Sequence, residues 1–364
     1  MRILHLTAHL NTGGITSYLL TLSDELLRRG HQVSVMAADG DATVRFQDKG
    51  IQVTTANMRI KSEIHPMLWI NLPRLIHVVK KQQINVIHAH TRTTQVLGHV
   101  VSFLTGVPLV TTCHGFFKPR FHRRLFGCWG KRIVAISQPV YEHLINDFKL
   151  PDSQVSLIVN GIDLVQFPVV DKERRQLARQ QLGITHQHVI GLIARLSSVK
   201  GIDVLIDAFN QVVRVNSDVL LLIVGEGPEQ ERLHEQIARL NLQDKVCILK
   251  TVNKTAAILP VFDVVIAPSR MEGLGLSVME AMASGLPVIA SRVGGLIDLI
   301  TDNQDGLLVK PVDANELSEA IIKLLADHHT QIRLANNARM RIADKFTSVQ
   351  MAEKTIRVYE DISR

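Results

Sequence analysis

Aromatic side chains are scarce in this 364-residue sequence. Phe, Trp and Tyr together make up 4% of it, too few to build a stacking platform for single-stranded nucleic acid, so no nucleic-acid partner is expected. Cysteine is scarcer still. Cys113, Cys128 and Cys247 stand far apart, in neither a disulfide framework nor a zinc-ligand spacing, which predicts a reduced, intracellular protein. No apolar run reaches the ~18 residues of a membrane-spanning helix. The longest, residues 96–110, is interrupted by His99 and Thr105. The opening Met1-Arg2-Ile3-Leu4-His5-Leu6 is too short for the core of a signal peptide. With 46% hydrophobic and 21% charged residues, the chain is globular rather than disordered, and its length suits two domains of ordinary size.

Acidic charge is missing from one long stretch. No Asp or Glu lies between Glu63 and Glu142, while ten Lys and Arg do, so residues 1–165 carry a net +8 and residues 166–364 a net −1. In the densest part, residues 116–129, Phe116, Phe117, Phe121, Phe126 and Trp129 are interleaved with Lys118, Arg120, Arg123 and Arg124. Such alternation suits an anionic membrane, with rings at the acyl boundary and cations at the headgroups. A solvated basic face over a few core aromatics, or a basic groove for an anionic acceptor, accounts for it as well.

Short β-branched runs alternate with helical periodicity. Strands are expected at 2–8, 32–37, 51–55, 85–88, 109–112 and 132–136, with helices between most of them. A break at 168–171 and a charged helix at 172–182 precede a second series of strands at 189–194, 219–224, 246–249, 264–267, 287–290 and 306–309. Helices at 314–326, 331–346 and 349–362 close the chain. This is the pattern of repeated βαβ units. It predicts two α/β domains of the Rossmann-like, doubly wound parallel-sheet type, 1–165 and 166–345, followed by a C-terminal helical segment 346–364. Ligands of such domains bind at the carboxyl ends of the strands, here facing a central cleft.

The strongest local signal runs from Pro268 to Pro287. Gly273 and Gly275 allow close backbone approach to a ligand, and a helix begins directly behind them, offering free N–H groups to a phosphate. Glu272 and Glu280 are spaced to accept charge-assisted hydrogen bonds from sugar hydroxyls. Arg195 and Lys200 follow another strand end, where two cations would neutralise a diphosphate leaving group. In the first half, Gly13-Gly14 joins the first strand to the first helix without the dinucleotide Gly-x-Gly-x-x-Gly spacing, which removes a dehydrogenase reading. His114 ends the fifth strand and is expected to project into the cleft. His88 and His90 share one face as a metal pair would, but no third ligand with supporting spacing is visible, so no metal is expected. Asp39-Gly40-Asp41 reads as a loop rather than a metal-binding Asp-x-Asp.

Taken in order, Gly13-Gly14, His88-Ala89-His90, His114-Gly115, Asn160-Gly161-Ile162-Asp163, Arg195 with Lys200-Gly201, Val224-Gly225-Glu226-Gly227-Pro228, the Glu272–Glu280 block, Gly294-Gly295 and Asp305-Gly306 resemble the retaining, nucleotide-sugar-dependent glycosyltransferases of family 4, which have the GT-B fold. The resemblance spans residues 2 to about 311. It implies a metal-independent hexosyltransferase with no cofactor beyond its co-substrate, a nucleotide-diphosphate sugar, a UDP-sugar being favoured. It further implies that Arg195 and Lys200 hold the diphosphate, Glu280 the ribose and Glu272 the donor sugar. Backbone at Gly273, Leu274, Gly275 and Leu276 would meet phosphate and sugar, Thr251 and Val252 the base, and Gly13, Gly14 and His114 the transferred sugar. The final helix of such enzymes crosses back to the first domain. The basic aromatic segment suggests that the acceptor is a glycan or lipid-linked hydroxyl of cell-envelope type, handled in the cytoplasm or at the inner face of the membrane, with Lys118, Arg120, Arg123 and Arg124 meeting membrane or acceptor. A nucleotide-sugar 2-epimerase of the same fold and a non-catalytic sugar-nucleotide binding module are the alternatives. Two departures from the family pattern stand out. Gly294-Gly295-Leu296-Ile297-Asp298 lacks the usual Pro-Glu, and Arg270 is a further candidate phosphate or acceptor contact.

Overall fold

The structure, a computed structural model, describes every residue except 61, 64, 120–122, 124, 125 and 364. The chain divides into two compact units, Met1–Gly161 with Ser348–Arg364, and Ile162–Thr347. The divisions therefore fall at 161/162 and 347/348, a few residues from the expected 165/166 and 345/346.

The first unit holds a seven-stranded parallel sheet in the order β3-β2-β1-β4-β5-β6-β7. Its strands are β1 (Arg2–His9), β2 (Gln32–Ala38), β3 (Gln52–Thr55), β4 (Val86–Ala89), β5 (Leu109–Cys113), β6 (Arg132–Ala135) and β7 (Val155–Leu157). Successive side chains of a strand point to opposite faces, and β1 shows the consequence. Ile3 joins one core, beneath the helices Gly14–Arg28 and Ser348–Ser363, while Leu4 and Leu6 join another, beneath Leu72–Lys81 and Arg92–Thr105. Covering both faces in this way explains why the strands read as near-continuous apolar runs.

The second unit holds six parallel strands in the order β10-β9-β8-β11-β12-β13. They are β8 (His188–Ile193), β9 (Val219–Val224), β10 (Val246–Leu249), β11 (Val264–Ala267), β12 (Val288–Ser291) and β13 (Leu307–Val309). All six residues of β9 are buried. The helices are stopped and started by ordinary devices. Asp171, Asp313 and Asp327 cap the helices that follow them, and Gly106, at φ 75°, ends Arg92–Thr105. In each sheet the strand order reverses once, between β1 and β4 and between β8 and β11, and ligands of open α/β sheets bind at the carboxyl ends of the strands at such points.

Candidate active site

In the second unit the carboxyl edge gathers the residues singled out from sequence. Lys200 lies in a single 3-10 turn, Ser198–Lys200, which reverses at Gly201 (φ 63°) into the helix Ile202–Val215. A Cβ on Gly201 would meet the Pro268 carbonyl oxygen at 2.0 Å, so only glycine lets the β8 loop pass this close to the β11 loop. That approach sets Lys200 Nζ 2.5 Å from Glu272 Oε2, with the two side chains 25% and 15% exposed. Ser269 Oγ donates to the same carboxylate oxygen at 3.1 Å. The helix Leu276–Ala283 starts at Gly275, at φ 98°, with no side-chain cap and no acidic residue in its first turn. Its amino-terminal N–H groups and dipole thus remain available to an anion. Glu280 is buried on this helix at 8% exposure.

Gly294-Gly295 explains the loop's seat. A Cβ at Gly294 would stand 1.9 Å from the Glu272 carbonyl oxygen, and one at Gly295 would stand 2.3 Å from that of Gly273. Gly295 N–H donates to the Glu272 carbonyl at 3.1 Å. The pair is a backbone bracket behind the Glu272–Leu274 turn. Arg195 is exposed just past β8, and its guanidinium has no hydrogen bond or ion pair among the described residues. Thr251 follows β10, where its N–H lies 3.3 Å from Glu226 Oε2, and Val252 beside it is partly buried.

In the first unit, Gly13 precedes the helix Gly14–Arg28, again with no side-chain cap. At the carboxyl ends of β4 and β5 an i, i+2 pattern is repeated side by side, its second members His90 and His114 lying one residue past each strand. His88 Nε2 meets Thr112 Oγ1 at 2.7 Å, and His90 Nδ1 meets His114 Nε2 at 3.2 Å. His5, opposite His88 in the β1–β4 register, meets His90 Nε2 through its Nδ1 at 3.0 Å. Tyr359 of the final helix closes on His88 Nδ1 at 2.6 Å, and Tyr18 packs edge-on to His114 with ring centroids 4.9 Å apart. Burial pushes the pKa of His5 and of His114 down to about 3 and those of His88 and His90 well below the usual value, so all four rings are neutral. The Tyr18 hydroxyl is pushed up to about 12 by burial, partly offset by Thr112.

Comparison with known proteins decides what this pair of sites belongs to. The family described as "Glycosyltransferase Family 4" matches residues 12–166, and "Glycosyl transferases group 1" matches residues 174–341. The chain belongs to the family-4 glycosyltransferases of the GT-B fold. An uncharacterized glycosyltransferase of Methanocaldococcus jannaschii is 25% identical over 96% of this chain and 94% of its own. The UDP-Gal:alpha-D-GlcNAc-diphosphoundecaprenol alpha-1,3-galactosyltransferase of Escherichia coli is 28% identical over 80% of this chain and 79% of its own. Among solved structures, Anabaena HepE in complex with UDP-glucose superposes with a TM-score of 0.88 at 25% identity, covering 99% of this chain and 100% of that one.

Four expectations for this glycosyltransferase need correction. Arg270 is not an open phosphate contact. Its guanidinium grips Asp203 with two bonds of 2.7 Å and the Ser198 carbonyl with a third of 2.8 Å, bracing the β11 loop against the helix Ile202–Val215. Arg123 is not a freely solvated cation, since its side chain is 22% exposed and lies 3.5 Å from Glu63 and 5.8 Å from the Phe117 ring. Three of the four rings described in its segment pack against other rings. Trp129 is 7% exposed and packs on Phe148 and Phe117, while Phe116 packs on His143. Lys118, Pro119 and Phe126 are the exposed residues of the described part, and Arg120 and Arg124 lie outside the described residues. The third imidazole missing from the His88/His90 pair exists. It is His5, whose ring nitrogens come within 4.8 Å of theirs. Both nitrogens of His88 and both of His90 are already in hydrogen bonds, however, so the group reads as a hydrogen-bonded network rather than a set of open ligands. Lastly, Val155–Leu157 forms a seventh strand that was not expected.

Proposed function

We propose that this chain is a retaining, metal-independent hexosyltransferase that moves a sugar from a UDP-sugar to a hydroxyl of a lipid-linked or glycan acceptor. The observation that carries the reading is the Lys200–Glu272–Ser269 cluster at the open amino terminus of Leu276–Ala283, with unpaired Arg195 on the neighbouring loop. Arg195 and Lys200 supply positive charge for the diphosphate, and the helix terminus adds its N–H groups. Gly273, Leu274, Gly275 and Leu276 bring backbone to phosphate and sugar. Glu272 accepts from sugar hydroxyls, Glu280 from the ribose, and Thr251-Val252 flank the base. Gly13, Gly14 and His114 are assigned to the transferred sugar. The UDP preference is supported by HepE, whose structure holds UDP-glucose, and the lipid-linked acceptor by the name of the Escherichia coli relative.

The acceptor hydroxyl forms its bond to the anomeric carbon on the face from which the carbon–phosphate-oxygen bond breaks. The departing β-phosphate oxygen takes the hydroxyl proton, and the two cations hold the charge that develops there. Such a course needs positioning and electrostatic stabilisation, not a protein nucleophile. Lys200→Ala should lower kcat about 10²- to 10³-fold with donor and acceptor saturating, the scale of removing one preorganised charge contact. Unchanged turnover would refute the diphosphate role. Product analysis without acceptor separates transfer from 2-epimerisation, since only the epimerase would interconvert nucleotide sugars there. A binding module would release no nucleotide with any acceptor.

No helix among the described residues is long and apolar enough to cross a membrane. Cytoplasmic work at the inner membrane face is proposed on the first unit's basic charge and on the exposure of Lys118, Phe126 at 67% and Phe103 at 85%.

A further inference from the structure

The histidine network does more than fill a core. His5 Nε2 is buried with no hydrogen-bond partner. His5 Nδ1, His90 Nε2, His90 Nδ1 and His114 Nε2 then form one unbranched chain of ring contacts at 3.0 and 3.2 Å. Each neutral imidazole carries a single N–H, so fixing the hydrogen on one ring fixes it on all three. Two arrangements are possible. In one, His5 carries its hydrogen on Nε2, leaving a buried N–H without an acceptor, a rare and costly state. In the other, His5 Nδ1–H donates to His90, His90 Nδ1–H donates to His114 Nε2, and the bare position at His5 Nε2 is a lone pair. Hydrogen positions are assigned here from the network, and the second arrangement leaves no orphan donor.

The geometry points to His90 as a positioning residue that, anchored by His5, holds the half-buried His114 in the tautomer whose hydrogen sits on Nδ1. That nitrogen has no partner among the described residues and is not buried without one. His114 therefore presents a neutral N–H donor, not a base, to an oxygen of its ligand. This deepens the proposed function and rests on its placing of His114 beside the transferred sugar. It also agrees with the proton leaving on phosphate, since a ring whose free nitrogen already carries hydrogen could take another only by becoming a cation and giving up its acceptor role toward His90.

Long-range proton–nitrogen correlation spectra of histidine-labelled protein distinguish the nitrogen that bears hydrogen from the one that does not. The expected result between pH 6 and 8 is hydrogen on Nδ1 of His114, assigned with His114→Gln. Hydrogen on Nε2 in the unmutated protein would overturn the proposal without any appeal to a variant. His90→Leu should release the tautomer and lower kcat/KM about tenfold, the scale of one hydrogen bond, while His90→Asn, which keeps a donor at the δ position, should restore most of both. A His114 signal unmoved in folded His90→Leu would equally overturn it. A tautomer that moves while turnover does not would uphold the wiring and overturn instead the place of His114 in transfer.

Discussion

Lowering the pH from 7 to 5 should destabilise the first unit steeply, because four neutral histidines are packed into it. A histidine whose folded pKa lies below its unfolded value takes up a proton on unfolding, so the native state loses ground as the pH falls through the unfolded pKa. For His5 and His114 the window runs from 6.5 down to about 3. At pH 5 the unfolded ring is almost fully protonated and the folded ring is not, a difference of about 2 kcal/mol for each ring relative to pH 7. Two rings give about 4 kcal/mol, and His88 and His90 are shifted in the same direction. Against a typical domain stability of about 5–15 kcal/mol, this is a large fraction. The lowered carboxylates do not interfere, since Asp39 and Asp41 forfeit their stabilisation only as the pH approaches 3.8. Both tryptophans, Trp69 and Trp129, belong to the first unit, so urea unfolding followed by tryptophan fluorescence reports on it selectively. The midpoint should fall sharply between pH 7 and 5, and His5→Leu should flatten that slope by about one proton. A stability that changes by less than about 1 kcal/mol over this range would refute the neutral-cluster account.

Other outcomes follow from the second unit and the surface. Glu280→Ala should weaken donor binding about tenfold or more, the worth of a charge-assisted hydrogen bond, measured by calorimetric titration with UDP; untouched affinity would remove its ribose role. Gly294→Ala drives a Cβ into the Glu272 carbonyl at a φ of 49°. It should therefore lower both the melting temperature and donor affinity, and a variant that is stable but still binds normally would contradict the bracket. Flotation with anionic but not neutral liposomes is expected for the whole protein, and equal recovery in both would sink membrane docking.

Strand runs and helix ends were legible because they depend on near neighbours in sequence. Val219–Val224 and Ala314–Ala326 read directly as buried strand and amphipathic helix. Val155–Leu157 did not, since three residues, one of them Leu157 at 39% exposure, make no apolar run. The glycine block around Glu272 was visible for the same local reason. The network around His114 was not. His5 reaches it only through the parallel register of β1 on β4, and Tyr359 comes from the far end of the chain. Gly294-Gly295 was seen as a motif, but its role as a backbone bracket needed the loop it supports.

Charged residues show most clearly where sequence reasoning must stop. Arg195, Lys200, Arg270 and Arg123 look alike as cations near strand ends or in a basic run. Partners separate them. Arg270 spends its fork on Asp203, 67 positions away, and such a bidentate grip is a structural brace. Arg123 is drawn to Glu63, the last acid before the long basic stretch. Lys200 is shared, held by a carboxylate that is itself a ligand contact in the proposed site. Arg195 alone of the four has its guanidinium unclaimed among the described residues. A cation already matched to a carboxylate must trade one partner for another when an anion arrives, whereas an unmatched one trades only water. Arg195 should therefore contribute the larger share of attraction for the diphosphate. Lys200, set in place by Glu272, should contribute position as much as charge.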